Sequence, residues 1–379
     1  MSYARARLWI GMTAVGLNVL IATGVLVFGS RFELEKLSVA DSEIWVLLAA
    51  YVLWMIPFDF LGGWWLPNRY GRSEQGLWAF VREWTCGVFL QSLVFVACGA
   101  SVLWAARVAG LGGGVLMLLI LFALLLVLRL FWLHFFTRAS QRDAASDLKT
   151  IQQIVAGWGV TCRPIAFRSA PTSGFTGGIV GLAHPQIIFP DQWRNILTLE
   201  ELAALAARRS ITLSTGSRKL GLIFAAAWTL SAFLAGNWIA STLPHGPQTM
   251  TEFIQVIAGA TLWNFAGLLL LPTTSRFATR RLDGMTLACV PKVLLAAAQK
   301  KVGQFQDDEP HRPRGIELIF HPVPSLALRQ QRQLIAEGAV PWHLSRQVLF
   351  LSWALCNPLA RAVHCNAGQS LLWVCPPTD

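Results

Sequence analysis

Charged side chains are scarce in this chain. Asp, Glu, Lys and Arg make up 13% of its 379 residues, about half of the roughly 25% of an ordinary soluble domain. That shortage excludes a wholly soluble protein. The 54% hydrophobic content points to an integral membrane protein with room for a soluble portion. Acidic residues are the scarcer sign, 20 against 31 basic, for a net charge of +11. Basic residues beside an anionic leaflet account for the excess, and no nucleic-acid partner is expected. Paired cysteines are lacking too. Cys86, Cys98, Cys162, Cys289, Cys356, Cys365 and Cys375 are odd in number and irregular in spacing, which argues for free thiols and against a disulfide frame or a Cys-rich metal site. Histidines in register are also missing. No two of His134, His184, His245, His311, His321, His343 and His364 stand four residues apart, so no helix presents two imidazoles on one face. There is no tandem repeat.

What is present is a set of apolar stretches near the length of about 20 residues that a membrane helix needs: Leu8–Gly29, Ile44–Trp65 (bent near Pro57), Trp84–Ala106, Val115–Phe136, Leu220–Leu243 and Phe253–Leu271. The first is longer than the apolar region of a cleaved signal peptide and reads as an anchor. Arg5, Arg7, Arg69, Arg72, Arg82, Arg138, Arg142, Arg276, Arg280 and Arg281 alternate with the spans, and no Lys or Arg falls between Trp238 and Ser275. The bias of basic residues towards the inner face then implies six spans in a bacterial-type inner (plasma) membrane, with both termini and both long polar segments cytoplasmic. Arg31, Lys36 and Arg107 fit this topology least well.

Four regions follow: residues 1–137 with about four spans, 138–219 as the first soluble block, 220–272 with two spans, and 273–379 as the second soluble block and C-terminal region. In the first block, Ser146–Gly157 has helical spacing, and Arg163–Arg168 and Gln186–Phe189 read as strands flanking the glycine-rich run Ser173–Gly178. Leu197–Leu213 reads as a helix, with Thr198 and Glu201 as a capping box. In the second block, Arg276–Lys300 and Ser325–Glu337 read as helices, Gln304–Gly315 as a loop and Ile316–Phe320 as a strand. Val348–Leu372 is apolar but broken by Asn357, Pro358, Arg361 and His364; it reads equally as a seventh membrane segment or as a helix lying on the membrane or on the soluble domain.

Several of these pieces, in this order, resemble the integral-membrane M48 metallopeptidases, the group of the CAAX-prenyl endopeptidases and HtpX-like peptidases, with a secondary likeness to M56. The residues that carry the resemblance are Ile56–Asp59 followed by Leu66–Gly71 and Phe80, then Ser173–Gly178 with Pro185–Pro190, Glu200-Glu201-Leu202 with the alanines, Arg276–Asp283, and His321-Pro322 with Arg329. The resemblance implies a helical transmembrane bundle with a small cytoplasmic α/β domain of gluzincin type. It also implies a zinc helix where this chain reads Arg208-Arg209-Ser210-Ile211-Thr212. By that alignment Arg208 and Thr212 stand at the two imidazole positions, Arg209 at the general base and Thr279 at the third ligand, while Asp283 is retained.

Those substitutions remove the chemistry. Zinc needs neutral imidazoles or anionic ligands, and a guanidinium has no lone pair to take a proton. No catalytic or metal-binding residue and no cofactor is therefore expected. Zinc is expected only under the alternative of an active endopeptidase with non-standard ligands. A second alternative is a purely structural membrane subunit with a remnant peptidase domain. The leading expectation is a pseudopeptidase subunit of a membrane complex, with membrane lipids and a membrane protein or substrate-like peptide as partners. Gly177, Gly178, Ile187 and Ile188 would hold an extended segment by strand addition. Arg208, Arg209, Arg280 and Arg281 would line the old cleft and attract an acidic peptide or anionic headgroup. Arg208 would also supply the positive charge that Asp283 loses with the metal, pairing bidentately with it.

Overall fold

A computed structural model describes residues 2–29, 43–139, 145–170, 174–306, 309, 311–331 and 338–374. Arg31, Lys36, Ser173, Asp307, Asp308, Pro310, Cys375 and the end of the expected Ser325–Glu337 helix lie outside the described residues.

The apolar stretches form helices. Helix α1 spans Tyr3–Phe28 and is capped by Ser2, whose hydroxyl accepts from the Arg5 amide at 3.3 Å. Helix α2, Glu43–Phe60, passes through a π-helical turn at Leu61–Trp65 into α3, Leu66–Arg69. Helix α4 is assigned to Leu77–Phe136 but is not one rod: Ala109 and Gly110 are non-helical, and Gly110 has φ +63°. A side chain on Gly113 would strike the Ala105 carbonyl eight residues back. Eight residues of straight helix rise about 12 Å, so the chain doubles back here. Glycine at 110 permits the left-handed turn. Among the described residues five helices are long and apolar enough to cross a membrane, and α4 contains two of the six apolar stretches. The other two long helices are α7, Ser217–Ile239, and α8, Met250–Leu287. The last continues unbroken past the expected end of the sixth span, through Pro272.

Between α4 and α7 lie β1 (Arg138–Ala139), α5 (Ala145–Gly157), β2 (Ile165–Ser169), β3 (Gly178–Val180), β4 (Gln186–Pro190) and α6 (Leu199–Ser214). After α8 come α9 (Lys292–Phe305), α10 (Arg314–Phe320), α11 (Leu326–Gln331), α12 (Leu344–Leu351), α13 (Leu359–Ala362) and α14 (Ser370–Val374). Ile316–Phe320, expected as a strand, is helical. Its β-prone Ile and Phe lose to a local helix start after Pro313, whose carbonyl accepts from the Glu317 amide at 3.0 Å.

The chain divides into two compact units. The first comprises Met1–Leu125, Ala225–Gly267 and Val348–Trp373; the second, Leu126–Phe224, Leu268–Gln347 and Val374–Asp379. In the first unit, the segment from Val348 is neither a span nor a surface helix. It is broken into short turns and almost wholly buried, with Phe350, Trp353, Leu355, Leu359, Arg361, Leu372 and Trp373 each at most 2% exposed. The reason is a set of partners among the spans. The Gly368 backbone packs on Gly63, leaving no room for a side chain at either position. Tyr51 donates to the Pro358 carbonyl at 3.0 Å, and Arg7 to the Cys365 carbonyl at 2.8 Å. Arg361 and Asp59 form a fully buried ion pair. Asp59 thus serves Arg361, the Trp84 indole and the Gly368 amide.

The second unit holds a four-stranded sheet in the order β1-β2-β4-β3. β2 and β4 are parallel, with Ile165 opposite Ile187, and β3 is antiparallel to β4, with Gly178 opposite Ile188. Its core joins Ile151 and Val155 of α5, Ile165 and Phe167 of β2, Ile187 and Phe189 of β4, Trp193, the Leu202–Ala207 run of α6, and Leu295, Ala298 and Val302 of α9. Helix α6 starts at the expected capping box: the Thr198 amide donates to Glu201 at 2.8 Å, and the Glu201 amide to Thr198 at 3.3 Å. Its alanines let neighbouring elements approach closely, and every residue from Glu201 to Thr212 is buried.

Candidate functional site

Helices α6 and α8 bring the expected site residues together inside the second unit. Arg208 and Arg209 are each 1% exposed, Thr212 0%, Thr279 1% and Asp283 3%. Arg208 donates from Nε to Asp283 Oδ1 at 2.7 Å. The bidentate partner is a different residue. Arg329 of α11 donates from Nε to Oδ2 at 2.7 Å and from Nη2 to Oδ1 at 2.9 Å. One carboxylate is therefore held by two guanidinium groups, with the planar fork of Arg329 matching its geometry.

Arg209 turns the other way. It donates to the Ile188 carbonyl at 2.7 Å and to the Thr176 carbonyl at 2.8 Å. Its guanidinium lies 4.6 Å from the centre of the Phe189 ring and 5.5 Å from that of Trp193. Burial, and then the like charge of Arg208, pull its pKa well below the usual arginine range. The backbone and ring contacts offset part of that desolvation cost. Arg209 thus staples the glycine-rich run to β4.

The two threonines are occupied locally. Thr212 donates to the Arg208 carbonyl and Thr279 to the Ser275 carbonyl, each at 3.0 Å. Arg280 and Arg281 are partly buried, and Arg281 lies over the Phe277 ring at 5.7 Å. A cavity of about 160 Å³ opens beside the cluster. It is lined by Arg208 and Arg329 but not by Arg209, Arg280 or Arg281. The expected set of four arginines is thereby divided by direction: one faces the cavity, one faces the sheet and two lie elsewhere on α8.

The strand-addition residues also differ from expectation. Ile187 and Ile188 lie on β4, which is an interior strand paired on both sides, because Gly178–Val180, at the end of the glycine-rich run, pairs with it as β3. Gly177 and Gly178 lie at the sheet edge, yet they and the rest of β3 are buried. Ile179 packs against Ala278, Leu282, Val340 and Trp342.

These residues do not fit zinc. The guanidinium groups of Arg208 and Arg209 offer no lone pair, the threonines are neutral hydroxyls bonded to their own helices, and both oxygens of Asp283 are engaged by arginines. Among the described residues no three His, Cys, Asp or Glu side chains converge as a metal site would require. The contribution of Arg329 was visible in the sequence only through the resemblance. The cavity residues Gln299 and Lys300 on α9, and Gln306 just past its end, carry no sequence signal of a site.

The long apolar helices and the small mixed sheet together form a fold similar to that of a solved structure. The crystal structure of S. mikatae Ste24p matches it with a TM-score of 0.63, covering 75% of this chain and 72% of that one at 14% sequence identity. At that identity the likeness is one of fold. No protein-family description and no curated protein sequence matches the chain.

Proposed function

We propose that this chain is a catalytically inactive membrane protein of M48-like fold, acting as a binding, regulatory or structural subunit of a membrane complex. We place it in an inner (plasma) membrane, with the sheet-bearing unit and both termini cytoplasmic. One observation carries the reading. At the positions the resemblance assigns to zinc and the general base there is a buried cluster in which Arg208 and Arg329 share Asp283 and Arg209 holds the sheet. Water activation requires a Lewis acid or a base within reach of the attacking oxygen, and this cluster supplies neither. The burial of β3 also speaks against peptide capture by strand addition, so the partner we favour is a membrane protein bound elsewhere on the surface.

The test is purification of the full chain in mild detergent, with zinc, co-purifying proteins and peptide hydrolysis measured on one sample. The expected result is far less than one zinc per chain, no chelator-sensitive cleavage and a stoichiometric partner. One tightly held zinc per chain, with cleavage abolished by a chelator, would overturn the reading.

A further inference from the structure

The cavity beside Asp283 has a composition that the filling of a former metal site does not require. Arg208, Arg329 and Lys300 line it, together with Gln299 and Gln306. None of its described lining residues is acidic. The side-chain nitrogens of Gln299 and Gln306 are buried and hydrogen-bonded to nothing among the described residues. A buried donor without an acceptor costs roughly 1–3 kcal/mol; both belong to residues that line the cavity, so an acceptor placed there would relieve that cost. Charge indicates which kind. Asp283 behind the wall offsets one of the three formal positive charges, and the C-terminal turn of α9 contributes roughly half a negative charge. About one and a half positive charges remain over a space of about 160 Å³. That volume is below the roughly 300–1,000 Å³ of sites for drug-sized molecules. It suits one compact oxyanion group.

We propose that this cavity is an anion site for a phosphate group, either free or as the headgroup of a membrane lipid. Arg208 and Arg329 supply guanidinium donors at its inner end, Gln299 and Gln306 supply amide donors, and Lys300, which is exposed, supplies charge at the mouth. Arginine forks match phosphate oxygens in the way they match carboxylates. The site is independent of the proposed loss of peptidase activity: a chain that cleaves nothing and binds no phosphate would leave that reading standing and end this one.

The test uses the full chain and reads its thermal unfolding midpoint. One arm titrates inorganic phosphate against sodium chloride of equal ionic strength in a non-ionic detergent. The other compares nanodiscs of pure phosphatidylcholine with nanodiscs containing phosphatidic acid. A ligand that binds only the folded state raises the midpoint saturably. Stabilisation by inorganic phosphate assigns the site to free phosphate; stabilisation by phosphatidic acid alone assigns it to a lipid headgroup. In either case Lys300→Glu and the pair Gln299→Leu with Gln306→Leu should each weaken half-saturation by about tenfold or more. These changes spare the Asp283 cluster, so the variants are expected to fold. No saturable response in either arm, or a response of equal strength in the variants, overturns the proposal.

Discussion

Each unit of the molecule buries an arginine–aspartate contact, and the two are built on different plans. In the first unit the pairing is one to one. Asp59 and Arg361 are both 0% exposed. The carboxylate accepts from Arg361 Nε at 2.8 Å, from the Trp84 indole at 2.9 Å and from the Gly368 amide at 3.1 Å. The guanidinium sits among the rings of Tyr51, Trp84 and Trp373. In the second unit two arginines share Asp283, and both also face a cavity. A balanced pair closed off by aromatic rings is a fastening. A site with surplus positive charge and an open wall has chemistry left over for a ligand.

Four substitutions would break or sharpen that contrast. The largest effect is expected from Arg361→Ala. It leaves Asp59 charged and buried, and should destabilise the protein by about 3–5 kcal/mol in reversible unfolding in detergent. Replacing both partners by apolar residues (Asp59→Leu with Arg361→Met) should recover much of that loss, since the pair is weak support relative to good packing. Arg209→Ala comes next. It strands the Ile188 and Thr176 carbonyls and should cost about 3 kcal/mol in the same measurement. It should also raise hydrogen exchange across β3 and β4.

Arg208→Ala should cost less, about 2 kcal/mol, because Arg329 still holds Asp283 through two bonds. A double-mutant cycle of Arg208 with Asp283 should show clear coupling; additive losses would mean that the two do not interact. The smallest change is expected for Lys301→Ala. Its partner Glu201 is buried, but the lysine is 41% exposed, so water screens the pair and the loss should stay below about 1 kcal/mol. A drop as large as that of Arg361→Ala would erase the distinction between fastening and surface contact.

Much of this was legible in the residues. Hydropathy marks the apolar stretches, and the helix-start chemistry of Thr198 and Glu201 appears as read. The contact of Arg208 with Asp283 was legible only through the resemblance, which aligns two positions 75 residues apart. The rest was hidden for physical reasons. Val348–Trp373 looks like surface or membrane sequence because its broken apolar pattern has no period. Its burial depends on Gly63, Tyr51 and Asp59, hundreds of residues away. The pairing of β3 depends on a glycine-rich run whose sequence favours no regular element. The cavity is assembled from α6, α9 and α11, and no local pattern announces such a convergence.

The fastening at Asp59 also constrains how the chain is made. Arg361 lies 302 residues after its aspartate. At a synthesis rate of about 5–20 residues per second, roughly 15–60 s separate their exits from the ribosome. During that interval an acidic side chain waits in an apolar helix with its countercharge not yet made. The early spans therefore enter the bilayer as an unfinished bundle, and their interior cannot close until the distant segment carrying Arg361 has been made.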